Sequence, residues 1–95
     1  MYNPADDSLL GEINLAGEAE VDAAVAAARK AFETGPWSTY TGAQRAALMN
    51  KFADLIDANV DEIAKAESRA MGQPISLAAG MIVPAAASCW RYYAG

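Results

Sequence analysis

The sequence predicts a mainly α fold with a short β-strand or hairpin at its amino terminus, and three features predict it. From Val21, apolar residues recur at i+3, i+4, i+7 and i+11 as far as Phe32, which is the helical period rather than the strand period. Thr41 and Gln44 have the spacing of a capping box, in which a hydroxyl and an amide each take an unpaired backbone N–H where a helix starts. Gly35-Pro36, and Gly72 with Pro74, punctuate the chain where such helices would stop.

Tyr2-Asn3-Pro4-Ala5-Asp6-Asp7-Ser8 is turn chemistry, and the apolar-polar mixture from Leu9 to Leu15 is long enough for one short strand beside it. The first helix begins at Glu18. Glu18, Glu20 and Asp22 lie in its first turns and Arg29 and Lys30 near its last, the charge order that complements the helix dipole. Thr41 opens a second helix, with Leu48, Phe52, Leu55 and Ile56 as its apolar stripe. Asn59 and Glu62 repeat the capping spacing, which predicts a break near Asn59 and a further helix carrying Ile63, Ala64 and Ala66 toward Ala70. Gly72 and Pro74 end it, residues 76–81 can form a helical turn or two, and Pro84 suits the first residue of a last helix running through Ala87, Trp90 and Tyr93. No repeat, low-complexity tract or linker divides residues 1–95.

Composition narrows the function. Of the 54% apolar residues, 23 are Ala, each burying about one methyl group, worth roughly 0.8 kcal/mol against about 1.5–3 for a Leu or Phe. The core available from large residues is thin. A net charge of −5, with the seven Lys and Arg scattered apart from Arg29-Lys30, repels phosphate backbones and argues against nucleic acid. No His and one Cys exclude a zinc cluster, a Ser-His triad and a disulfide framework. Asp6 and Asp7 stand where an export signal would need a basic and then an apolar run, so a reducing, cytoplasmic setting is the expectation. The uncharged stretch from Ala70 to Trp90 has the length of a membrane span, but Gly72, Gln73, Pro74, Ser76, Gly80, Pro84 and Ser88 break its hydrophobicity.

Few residues offer chemistry. Cys89 is the one strong nucleophile, yet no His or helix amino terminus stands by to lower its pKa, and Arg91 falls on a different side of the helix, so a packed structural cysteine is the expectation. Trp37, Trp90, Tyr92 and Tyr93 could line a pocket, but read better as core and interface anchors. Asp54, Asp57 and Asp61, with Glu62, could face a hard cation from one side of a helix; without a liganding loop and its glycine turn they read as a solvated face. Gly11, Gly17, Gly35 and Gly42 are isolated, and neither GxGxxG nor GK[ST] occurs, so no phosphate cradle is present.

A family resemblance runs along almost the whole chain. Asn3-Pro4-Ala5 with Leu10-Gly11-Glu12, then Val21-Asp22-Ala23-Ala24-Val25 with Ala27-Ala28-Arg29-Lys30-Ala31-Phe32, then Gly35-Pro36-Trp37 and Arg45 follow in order. After these come Lys51-Phe52-Ala53-Asp54-Leu55-Ile56, Glu67 with Gly72 and Pro74, and Arg91-Tyr92-Tyr93-Ala94-Gly95. In this order and spacing they resemble the amino-terminal part of the aldehyde dehydrogenase superfamily. The sequence departs at Gln73, where the family turn usually has Lys, and at Ile82, where many members carry an acid; the second departure removes the ground for assigning a metal ligand.

The resemblance implies that residues 1–95 are the amino-terminal helical segment of the family's α/β cofactor-binding domain, cut at the carboxyl end. It implies a parent that uses NAD or NADP to oxidise an aldehyde to a carboxylate through a cysteine thiohemiacetal. The family's PWN asparagine, GxTxxG turn, general-base Glu and nucleophilic Cys have no counterpart among these residues, and Cys89 does not match the catalytic cysteine. The implied site assignments for this chain are therefore none for catalysis, none for cofactor and none for metal, with an inactive isolated segment. Its implied partners are the remainder of the chain or other subunits, with self-association of the isolated segment and no membrane. The alternative is a stand-alone small helical protein-interaction module.

Overall fold

A computed structural model describes residues 1–95. Helix α1 (Glu18–Thr34) leads through a 3₁₀ turn (Pro36–Thr39) to α2 (Gly42–Ala58) and α3 (Val60–Met71). A short α4 (Ile75–Leu77) runs through a π-helical turn (Ala78–Ile82) directly into α5 (Val83–Ala94).

The amino terminus contains no strand. A single antiparallel bridge joins Tyr2 to Leu9, and the Met1 ammonium donates to the Gly11 carbonyl at 2.8 Å. Asp7, at φ 57°, turns the chain between them. The expected strand or hairpin is thus reduced to one turn, because no second edge stands beside residues 11–17 to take their N–H and C=O groups.

Helix starts and stops follow local chemistry with two exceptions, at Asn59 and Pro84. At α2 the Thr41 hydroxyl accepts from the Gln44 N–H at 3.2 Å and the Gln44 amide oxygen accepts from the Thr41 N–H at 2.8 Å. The chain does break at Asn59, but Asn59 does not cap α3. Its amide nitrogen donates backward to the Leu55 carbonyl at 2.7 Å, closing α2 instead. Gly72 ends α3 at φ 72°, a conformation costly to any residue with a Cβ, and the Cβ it lacks would meet Pro4 Cγ at 3.0 Å. Pro84 does not open a separate helix. It sits at the second position of α5, and the π turn before it, with Val83 N–H donating to the Ala78 carbonyl, carries the helix past the missing proline N–H.

The packing centre is the antiparallel pair α2 and α5, to which α3 adds through the π turn. Ala53 on α2 and Ala87 on α5 are fully buried, and Ala64, Ala78 and Val83 form a second buried cluster flanked by Ile56, Val60 and Ala79. On α2 the inward face is Ala46, Met49, Ala53 and Ile56, whereas Leu48 and Leu55 are exposed and Phe52, also exposed, lies at the margin against Trp90 of α5. The stripe expected from residue size is therefore corrected. The backbones approach through the small side chains, and apart from Met49 and Ile56 the large ones are left largely outside.

As a result the molecule is one layer deep, with extents of 48 × 36 × 15 Å and a radius of gyration of 17.3 Å, against about 12 Å for a compact chain of this length. Its accessible surface is 7332 Å², where a compact monomer of this size exposes roughly 5,200 Å². No helix is long and apolar enough to cross a membrane.

Candidate functional site

Two places gather polar or aromatic side chains, and both depend on the α2–α5 pair. The first is an ion-pair clamp. Asp54 and Asp57 lie three apart on α2, hence on one face, and Arg91 reaches across from α5. The Arg91 Nη2 donates to Asp54 Oδ1 at 2.7 Å and stands 2.7 Å from Asp57 Oδ2. The hydrogen bond to Asp54, and then that to Asp57, raise the guanidinium pKa above its already high ordinary value. Two of the carboxylates that suggested a solvated face or a cation site are thus spent on a structural cation. Asp61 and Glu62 fall beyond the Asn59 break on α3, and no group of three or more Cys, Asp or Glu stands close enough to hold a metal ion.

The second place is a hollow of about 490 Å³ where the 3₁₀ turn, the start of α2 and the end of α5 meet; Trp37, Arg45, Met49 and Tyr93 are among its walls. Arg45 crosses toward the turn and donates to the Tyr40 carbonyl at 2.6 Å, so its charge holds backbone in place. Trp37 and Tyr40 tilt together with ring centroids 6.2 Å apart, and Phe52 meets Trp90 edge-on at 4.7 Å.

None of the four expected aromatic anchors is in a core. Trp37 and Trp90 are half-exposed and Tyr92 and Tyr93 are largely exposed. Cys89, expected to be packed, is also exposed, beside Met49, Trp90 and Tyr93. The reason is the same for all: a layer of helices one deep offers an inside to small residues only. Of the two departures from the family pattern, Ile82 lies in the π turn and shares a hollow with Ile56, Ile63, Val83 and Glu67, where an acid would have mostly apolar neighbours and a second carboxylate beside them. Gln73 leaves its amide oxygen buried without a partner, while its backbone carbonyl accepts from the Ser68 hydroxyl at 2.7 Å.

The residues present do not fit a dinucleotide cofactor. A pyrophosphate seeks a helix amino terminus with free N–H groups and no competing acid. The start of α1 carries Glu18 and Glu20, with the Glu20 carboxylate on the Gly17 N–H at 2.9 Å. Thr41 and Gln44 close the start of α2, Asp61 and Glu62 flank that of α3, and α5 continues from the π turn. The Arg91 clamp is what sequence reasoning missed. Its signal was the pair of acids at helical spacing and a lone cation on another helix, but only the antiparallel pairing of α2 with α5 brings them together.

Comparison with known proteins bears on the whole chain. The model of the aldehyde dehydrogenase family matches residues 1–95. An aldehyde dehydrogenase of Alternaria alternata is 47% identical over 95 residues, all of this chain and 19% of that protein. Aldehyde dehydrogenase family 2 member C4 of Arabidopsis thaliana is 42% identical over 93 residues, 98% of this chain and 19% of that protein. The solved NAD⁺ complex of an aldehyde dehydrogenase from Bacillus cereus superposes with a TM-score of 0.95 at 45% identity, over 99% of this chain and 19% of that one. The chain thus spans about a fifth of the length of these relatives. A stand-alone interaction module gains no support from them.

Proposed function

The chain belongs to the aldehyde dehydrogenase family, and from that premise we propose that it serves as a scaffold segment of such an enzyme rather than as its reactive part. The observation that carries this reading is the absence of any fully buried large side chain beside twenty exposed large apolar ones. Apolar surface of that extent, left uncovered, calls for a further surface to pack against. The outward faces of α1 and α2, with Val21, Val25, Phe32, Leu48, Phe52 and Leu55, are where it would pack.

The activity proposed for the whole protein is oxidation of an aldehyde to a carboxylate with NAD or NADP; when bound, the nicotinamide group accepts the hydride. Residues 1–95 supply no reacting group to it. Their contribution is rigid placement: Arg91 locks α5 to α2 through Asp54 and Asp57, and Arg45 locks the 3₁₀ turn to α2. Cys89, exposed beside Met49, Trp90 and Tyr93, is given no part in the reaction on this reading. The cytoplasmic setting belongs to the same reading, supported by the lone thiol.

The test is to follow nicotinamide reduction with a panel of aldehydes, using the purified 95-residue chain beside a chain extended to the relatives' length. Turnover by the extended chain alone is the expected result. Turnover by the 95 residues would overturn it.

A further inference from the structure

We propose that the π turn and Pro84 are a matched pair that sets the rotational phase of α5: the turn holds one residue more than an α-helix would, and Pro84 pins that residue in place. Ala78 and Val83 stand five apart, yet both are buried in the cluster around Ala64. Five residues of an α-helix turn through about 500°, which would set these two side chains about 140° apart, on different faces. The π turn, with its bond from the Val83 N–H to the Ala78 carbonyl, absorbs the extra residue. Ala78, Val83 and Ala87 then lie where positions i, i+4 and i+8 of an unbroken helix would lie, and all three are buried.

One helical run thereby serves two neighbours. Ala78 and Val83 meet α3 at Ala64, while Ala87 is buried where α5 lies along α2. Four residues beyond Ala87, and so on its face of α5, Arg91 reaches Asp54 and Asp57 at 2.7 Å each. A rotation of α5 by one residue, about 100°, would leave Ala78 in its place and turn both Ala87 and Arg91 away from α2.

The extra residue sits on the outside. Gly80 is exposed, and the Cβ it lacks would meet nothing within 4 Å. Pro84 keeps the turn from closing into an α-helix. In that register the carbonyl four residues back is that of Gly80; a proline has no N–H to offer it, and its ring collides with it. Helix bonds that run five back just before the proline avoid the collision.

Backbone amide exchange over residues 75–94, followed in the chain extended to the relatives' length, tests the pairing. Deletion of Gly80 alone should close the turn into an α-helix with Pro84 inside it, its ring against the Ala79 carbonyl, and speed local exchange about a hundredfold. Pro84→Ala alone should speed it only slightly. The two changes together should restore the unmodified rate, because Ala78, Val83 and Ala87 are then i, i+4 and i+8 of a continuous helix. Pro84→Ala thus changes sign between the two backgrounds, which a general gain in helix propensity would not do. If deletion of Gly80 alone yields no folded chain, a folded double variant is the same result. Deletion of Ser88, outside the turn, should not be rescued by Pro84→Ala, since no phase of the helix then returns Val83 and Ala87 to the buried face together. A double variant as labile as the Gly80 deletion, or unfolded, would overturn the proposal. So would a Gly80 deletion that exchanges like the unmodified chain, or rescue of the Ser88 deletion. Exchange is read without any aldehyde, so its outcome is independent of the activity proposed for the whole protein.

Discussion

Helix α1 and the α2–α5 pair are made of similar material and end up in opposite states. Helix α1 and α2 are each 17 residues long and Ala-rich, and each carries an apolar stripe with large side chains. Yet α1 buries nothing, while α2 buries Ala53 against α5 and supports the ion-pair clamp on Arg91. What separates them is which residues can touch. A pair of helices closes first through small side chains that let backbones approach, and α2 and α5 each present an alanine at the contact; α1 presents Val25 and Phe32, which residues 1–95 leave uncovered. Size of an apolar residue therefore says how much burial is worth and not whether it occurs.

The largest effect that could break this comparison is overpacking. Ala53→Leu or Ala87→Leu forces extra atoms between α2 and α5 and should cost about 1–3 kcal/mol in a thermal melt followed by circular dichroism. Ala27→Leu on α1, where there is nothing to collide with, should stay within about 0.5 kcal/mol. Equal costs at the two sites would mean that α1 is packed.

Next in size is the end of α3, where Gly72→Ala places a Cβ at φ 72° and 3.0 Å from Pro4 Cγ. A loss of roughly 1–2 kcal/mol is expected from the left-handed backbone alone, and amide exchange near Gln73 would locate it.

The caps sharpen the contrast between α1 and α2. Thr41→Ala removes half of a complete capping box and should cost about 1 kcal/mol. Gly17→Ser would supply the half that α1 lacks, worth a few tenths of a kcal/mol, with the flexible Glu20 carboxylate shifting from its 3.1 Å approach to the new Cβ. Residue-resolved helicity by NMR would show the first in α2 and the second in α1.

The smallest effects are in pH. Hydrogen bonds from the Ser8 hydroxyl and then the Ser8 N–H hold Asp6 below the ordinary carboxylate range. A depressed folded pKa means that its contribution is present above the ordinary range and is lost as pH falls through the lower, folded value. The Ser8 amide signal should therefore move only in strong acid. Arg91 has the opposite sign. Its raised pKa means that its contribution is lost only as pH rises beyond the working range, so the α2–α5 clamp should hold across neutral and alkaline pH.

Much of the fold was legible because it rests on neighbours in sequence. The limits of α1, the Thr41–Gln44 box, the break near Asn59 and the stop at Gly72 follow from caps and turn residues whose partners lie within five positions. Two of the misreadings concern packing partners far along the chain, and the one at Asn59 concerns a choice between two near neighbours. The strand expected near Leu9 has no edge to join, Asn59 turned back to α2, and the buried face of α2 was decided by α5 some 35 residues on. The same distance hid Arg91, which joins residues 37 apart in sequence to Asp54.

The sequence by itself determined most helix limits, the charge order along α1 and the family. Those properties are local, or are read from order and spacing along one dimension. Only the tertiary structure decided that alanines rather than leucines and aromatics make the core, that two aspartates serve Arg91, and that Cys89 and the aromatic residues face outward. Burial depends on which surfaces meet, and a single layer of helices has room between its members only for the smallest side chains.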